Sequence, residues 1–163
     1  MKNTTITFCI AAIFLVFSGA VFAAVPDFSG TWTLDKAKSE GLPAGMNQEM
    51  TVKQTGDKLS LETKISVEHG EQSLSDVYTL DGKEMEFSPK AGALTGKGKR
   101  TAKRTADGFE VEESGVFDTP NGEVTVKISR KWTLSADGKS LIIEMTSVNP
   151  SGTQKSKRIF SKK

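Results

Sequence analysis

The chain has 163 residues with 22 basic and 20 acidic side chains, one histidine and one cysteine. So even a charge balance argues against a general nucleic-acid binder, whose affinity rests on an excess of cations facing phosphate. One turn histidine and one amino-terminal cysteine cannot supply a nucleophile and base pair, a disulfide or a nitrogen and sulfur metal cluster.

The first segment carries Lys2, an apolar run from Ile6 to Phe17, and small residues around "SGAVFAAVP". This is the pattern of a secretory signal peptide over residues 1–23, cut after Ala23. The apolar run is shorter than the roughly 20 residues a membrane span needs, so no transmembrane segment is expected after processing. Cys9 lies within the removed part. Residues 24–163 then form a single domain, expected to be monomeric and periplasmic or secreted, able to bury one core.

Along this domain helical periodicity is almost absent, and alternating apolar and polar residues recur between short turn signals. Ten strands are predicted, near 29–35, 47–54, 58–67, 72–80, 83–88, 97–105, 109–118, 123–134, 139–148 and 153–161. The turn signals are Gly56-Asp57, His69-Gly70, Asp81-Gly82, Asp107-Gly108, Asn121-Gly122, Asp137-Gly138 and Ser151-Gly152. Read as two-residue hairpin turns of type I′, with positive φ at both central residues, they fix registers. The first sets Val52 against Leu61, and the second sets Leu59 against Leu80. About Asp107-Gly108, Arg100 faces Gly115 and Arg104 faces Val111. About Asn121-Gly122, Glu113 faces Arg130 and Val111 faces Trp132. About Asp137-Gly138, Trp132 faces Ile143 and Arg130 faces Met145. About Ser151-Gly152, Met145 faces Arg158. The apolar partners share one face, and Glu112, Lys131 and Glu144 line the other as a charged ladder. The fold class is therefore all-β, an antiparallel up-and-down meander barrel of about eight to ten strands, closed to remove its edges. Between the first two strands, Lys36 to Asn47 is rich in Gly and Pro and reads as an irregular loop with at most one helical turn.

The face that carries Val, Ile, Leu, Phe and Trp also receives Arg100, Arg104, Arg130, Arg158 and Glu113. Buried charge is costly unless paired or hydrated, and one glutamate offsets one or two of four arginines. Three readings stand: arginines reaching solvent at an open end, a structural Glu113–Arg130 pair, or an internal anion site, for which the planar arginine fork suits a carboxylate. Asp76, on the same face, is available as a lone acid or as an arginine partner. His69 reads as an exposed turn residue, and "GKGKRTAKR", Gly96 to Arg104, as either a solvated charge stripe or a local basic patch.

"DFSGTWTLDKAKS", Asp27 to Ser39, resembles the Gly-x-Trp signature of the calycin superfamily, the lipocalins and fatty-acid-binding proteins. With "LSADGKSL" near the end, the whole mature chain resembles small secreted bacterial proteins described as lipocalin-like. The resemblance implies that Trp32 closes one end of the barrel, covered by Arg158 or Arg130. In the fatty-acid-binding branch an arginine on the eighth strand and an Arg-x-Tyr on the tenth hold the ligand carboxylate. Here Arg130 and Arg158-Ile159-Phe160 occupy those strands, with Phe160 in place of the tyrosine and no room for the branch's two helices in Lys36 to Asn47.

The expected function is binding of a small hydrophobic or amphipathic anion such as a fatty acid or lipid, without catalysis, cofactor or metal. Arg130, Arg158, Phe160, Arg100, Arg104, Glu113 and Trp132 form the candidate ligand site. The head is expected near Arg130 and Arg158, and the tail among Trp132, Ile143, Val111 and Phe160. The alternative is a structural or interaction protein of the cell envelope with a filled barrel.

Overall fold

The computed structural model describes residues 26–68, 70–91 and 94–163; the expected signal peptide, Cys9 and His69 lie outside them. The main sheet is built from β1 (Gly30–Leu34), β2 (Asn47–Thr55), β3 (Lys58–Val67), β4 (Gly70–Thr79), β5 (Asp81–Phe87), β8 (Lys97–Arg104), β9 (Gly108–Thr119), β10 (Gly122–Leu134), β11 (Ser140–Asn149) and β12 (Gly152–Lys162). A small separate hairpin, β6 (Lys90–Ala91) with β7 (Leu94–Thr95), interrupts the meander. The ten strands run β4-β3-β2-β1-β12-β11-β10-β9-β8-β5, all antiparallel, so that the first strand joins the last. Sequence-adjacent β4 and β5 end at opposite edges of this order. The Asp81-Gly82 turn does not make the expected hairpin, because β5 turns away from β4 and pairs with β8.

Two expected registers are observed, Val52 opposite Leu61 and Trp132 opposite Ile143. The other four are displaced by two residues: Arg130 faces Val111, Arg100 faces Glu113, Ile143 faces Arg158, and Leu59 faces Tyr78. The reason lies in the turns. All described residues with positive φ are glycines, which excludes type I′ turns built on Asn or Asp. In Thr119-Pro120-Asn121-Gly122 and Asn149-Pro150-Ser151-Gly152 the proline supplies the fixed φ of the first central position, and glycine closes the turn at +105° and +124°. An even displacement leaves every side chain on its predicted face.

One end of the barrel is solid. Phe28, Trp32, Leu59, Phe109, Leu141 and Phe160 are fully or almost fully buried, with Val111, Trp132, Ile143 and Tyr78 packed among them. Trp32 donates its indole N–H to the Phe28 carbonyl at 2.9 Å. The cation over its ring is Lys162, whose Nζ is 5.2 Å from the centroid, rather than Arg158 or Arg130. Register explains this, since Trp32 lies directly opposite Lys162.

The outer charged ladder exists in a longer form than expected, with Glu110 in place of Glu112. Cross-strand partners Asp81, Lys103, Glu110, Lys131, Glu144, Lys157 and Glu40 alternate in sign around the sheet. The basic run is absorbed in the same way: Lys99 binds Glu84 at 2.7 Å, Lys103 binds Glu110 at 3.3 Å, and Arg104 pairs with Asp57.

Candidate functional site

Above the solid end the inward positions turn polar. Arg100 projects from β8 and Arg130 from β10, and between them stands Glu113 on β9. Its carboxylate accepts Arg100 Nε on Oε1 and Arg130 Nη1 on Oε2, each at 2.5 Å. Arg100 also donates to Asp76 of β4 at 2.8 Å. The Arg100 and Glu113 side chains are each only 6 % exposed, so a desolvated pair stands at the centre of a cluster of two cations and two anions whose Arg130 and Asp76 side chains are part-exposed. Burial works against the arginine charges, but the Tyr78 phenolate where it forms, with the Glu113 and Asp76 carboxylates, outweighs it and holds both guanidiniums above their ordinary pKa. Tyr78 itself, buried beside the cluster, is pushed up to about 12.

Arg158, on β12, stands apart. Among the described residues its Nη1 reaches only the neutral Gln48 Oε1, at 3.0 Å, and its buried Nε has no partner. Burial, and then the charge of Arg130, push its guanidinium below the ordinary value. The inward Ser156 Oγ and Trp132 Nε1 are likewise buried without a hydrogen-bond partner. Arg100, Arg130 and Arg158 against Glu113 and Asp76 leave the described interior with one cation more than anions. A guanidinium without an anionic partner, its Nε unpaired, is an arrangement that an oxyanion satisfies.

Next to the cluster lies a cavity of about 430 Å³, polar at Arg100, Glu113, Arg130 and Asp76 and apolar at Leu74, Phe87, Phe117, Val126 and Ile128. Its shape depends on small residues. A Cβ on Gly115 would stand 2.8 Å from Pro89 Cγ, and one on Gly98 2.7 Å from Phe87 Cε1, so both glycines let the β5 end lean inward.

The sequence-derived site residues therefore separate. Arg100, Glu113 and Arg130 meet directly, with Arg158 close enough to feel the charge of Arg130. Arg104 does not join them: it sits at the exposed end of β8, 41 % accessible, on Asp57. Phe160 and Trp132 belong to the solid core, Trp132 stacked on Phe109 at 5.0 Å. The space expected for a tail among Trp132, Ile143, Val111 and Phe160 is filled by those side chains, and the open volume lies on the opposite side of the arginines. Gln48 and Tyr78 were not singled out by sequence. An inward-facing polar residue in the "NQEMTV" strand was the available signal for Gln48. Among the described residues no group of three His, Cys, Asp or Glu could hold a metal.

No protein-family model and no curated protein sequence matches the chain. Solved structures do. The zebrafish ileal bile acid-binding protein complexed with cholic acid is 17% identical, with a TM-score of 0.55, covering 83% of this chain and 98% of that one. A fatty-acid-binding protein from Manduca sexta is 18% identical over 83% of this chain and 99% of that one, at a TM-score of 0.43. Secretory abundant heat soluble protein 4 from Ramazzottius varieornatus is 14% identical over 83% and 94%, at 0.45. With the topology above, the first of these establishes the class: the chain has the calycin type of fold, an all-β, nearly closed antiparallel barrel.

Proposed function

We propose that this barrel binds a small amphipathic anion, with its head at Arg158 and Arg130 and its apolar part against Leu74, Phe117, Val126 and Ile128. The observation that carries the reading is Arg158, a half-buried guanidinium bonded only to the neutral Gln48 among the described residues and close enough to feel the charge of Arg130, which itself lines a cavity with one apolar side. An arginine placed so is expensive to keep unless an anion completes it. Catalysis receives no support from the cluster, whose groups neutralise one another and hold no nucleophile. The resemblance in fold to a bile acid-binding protein agrees with a lipidic anion. The signal-peptide pattern further supports delivery outside the cytoplasm, which the amino-terminal residue of protein purified from its own cells tests.

The structural alternative is favoured by one observation, the pairing of Arg100 and Arg130 with Glu113 and Asp76. It accounts for the cluster and leaves Arg158 unaccounted for. Native mass spectrometry of protein from its own cells, followed by fluorescence titration of stripped protein with dodecanoate, tests the binding reading. A co-purifying anion, or saturable quenching, supports it. Neither appearing would return the barrel to the structural alternative.

A further inference from the structure

Ten strands around a barrel should share ten ladders, and between β4 and β5 the ladder is missing. The Arg100 side chain spans this seam. Arg100 starts on β8, behind β5, and its Cζ lies 4.2 Å from the ring centroid of Phe87 on β5 and 4.7 Å from that of Tyr78 on β4. Its Nη2 binds Asp76 Oδ1 at 2.8 Å and its Nη1 the Val77 carbonyl at 3.5 Å, both on β4. Glu113 anchors the guanidinium from within. The cation is thus held between an aromatic ring from each lip of the seam and bonded across it.

The cavity is lined from both sides of the same seam, by Leu74 and Asp76 on one lip and by Phe87 and Pro89 on the other. Two other approaches are blocked. The core around Trp32 fills one end. The β1–β2 connection is pinned to β12, where Glu40 exchanges backbone hydrogen bonds with Lys157 and Ile159 N–H donates to Ser39 Oγ.

We propose that the β4–β5 seam is the ligand's route into the barrel and that Arg100 is the staple that controls its opening. This rests on the anion-binding reading above. Opening at the cavity breaks the outer bonds of Arg100 while Glu113 keeps the guanidinium neutralised, and Asp76, 34 % exposed, can be hydrated as it lets go. An incoming carboxylate replaces Asp76 on Arg100 and then passes inward to Arg130 and Arg158. Arg100 is a positioning residue in this scheme, and its effect is on rate of access.

Asp76→Asn and Arg100→Met separate the roles, the first keeping the Arg100–Glu113 anchor intact. Stopped-flow mixing with dodecanoate, followed by tryptophan fluorescence, should give an association rate raised about tenfold in Asp76→Asn, the effect of losing one charge-assisted bond. Hydrogen exchange without ligand should accelerate in β4 and β5 while β9 to β11 keep their protection. Unchanged association rates in both variants, or a change confined to dissociation, would overturn the route while leaving the binding reading intact. Unchanged exchange in β4 and β5 would overturn the staple. If the wild type gives no saturable signal, the binding reading fails, and the route fails with it.

Discussion

Replacing Glu113 by glutamine keeps the volume of the side chain and removes only its charge. In the wild type the carboxylate accepts hydrogen bonds from Arg100 and Arg130, both at 2.5 Å, from a position 6 % exposed. After Glu113→Gln, Arg100 retains Asp76, Arg130 has no acid, and the described interior holds two cations in excess instead of one. Breaking a buried pair by deleting one partner costs about 3–5 kcal/mol, a large part of the roughly 5–15 kcal/mol available to a domain. At an m-value of about 1–3 kcal/mol/M this lowers the urea midpoint by roughly 1–5 M, read from tryptophan fluorescence. Arg130→Met in the same background should recover part of the loss, because the stranded cation goes with it. A destabilisation below about 1 kcal/mol, or no recovery in the double variant, would refute the view that the cluster is desolvated and mutually dependent.

Tyr78 is the only tyrosine, and its phenol is raised from 10.0 to about 12 by burial. The folded protein holds that proton more tightly than the unfolded chain, so this contribution is intact below pH 10.0 and lost as pH climbs to about 12, an effect of about 3 kcal/mol. Phenolate absorbance that titrates near 10 in folded protein would contradict it. Trp32→Ala should lower stability by about 3–5 kcal/mol in a urea melt, and a value near zero would mean that Trp32 does not close the barrel. Gly122→Ala, at φ +105° with open space where the new Cβ would stand, should cost about 1 kcal/mol through backbone strain alone. A neutral result would contradict the turn assignment.

What the sequence disclosed was faces, because a period of two survives any even error of register. Phe109, Val111, Glu113 and Phe117 point inward whether Asn121-Gly122 or Pro120-Asn121 forms the turn. Register itself was hidden because Asn121-Gly122 and Ser151-Gly152 carry a hairpin signal while Pro120 and Pro150, one residue earlier, set the turns. The inward charge was therefore legible and its partners were not: Arg104 reaches Asp57, a residue in a distant turn, and Lys162 takes the place over Trp32 expected for an arginine. The seam was invisible because Asp81-Gly82 has the composition of a hairpin turn. Only the pairing of β5 with β8 shows where the chain goes instead. The position of the cavity followed from how side chains fill the barrel, and alternation carries no information about volume.

The central claim is that Arg158 is kept for an anion. Calorimetric titration of wild type and Arg158→Gln with dodecanoate, beside urea melts of both without ligand, addresses it most directly. The account predicts binding weakened by about 1.5–3 kcal/mol in the variant, for one lost charge-assisted bond, together with unchanged or higher stability as an unpaired charge leaves the interior. Equal affinities, or a variant that loses stability while the wild type binds nothing, would contradict it.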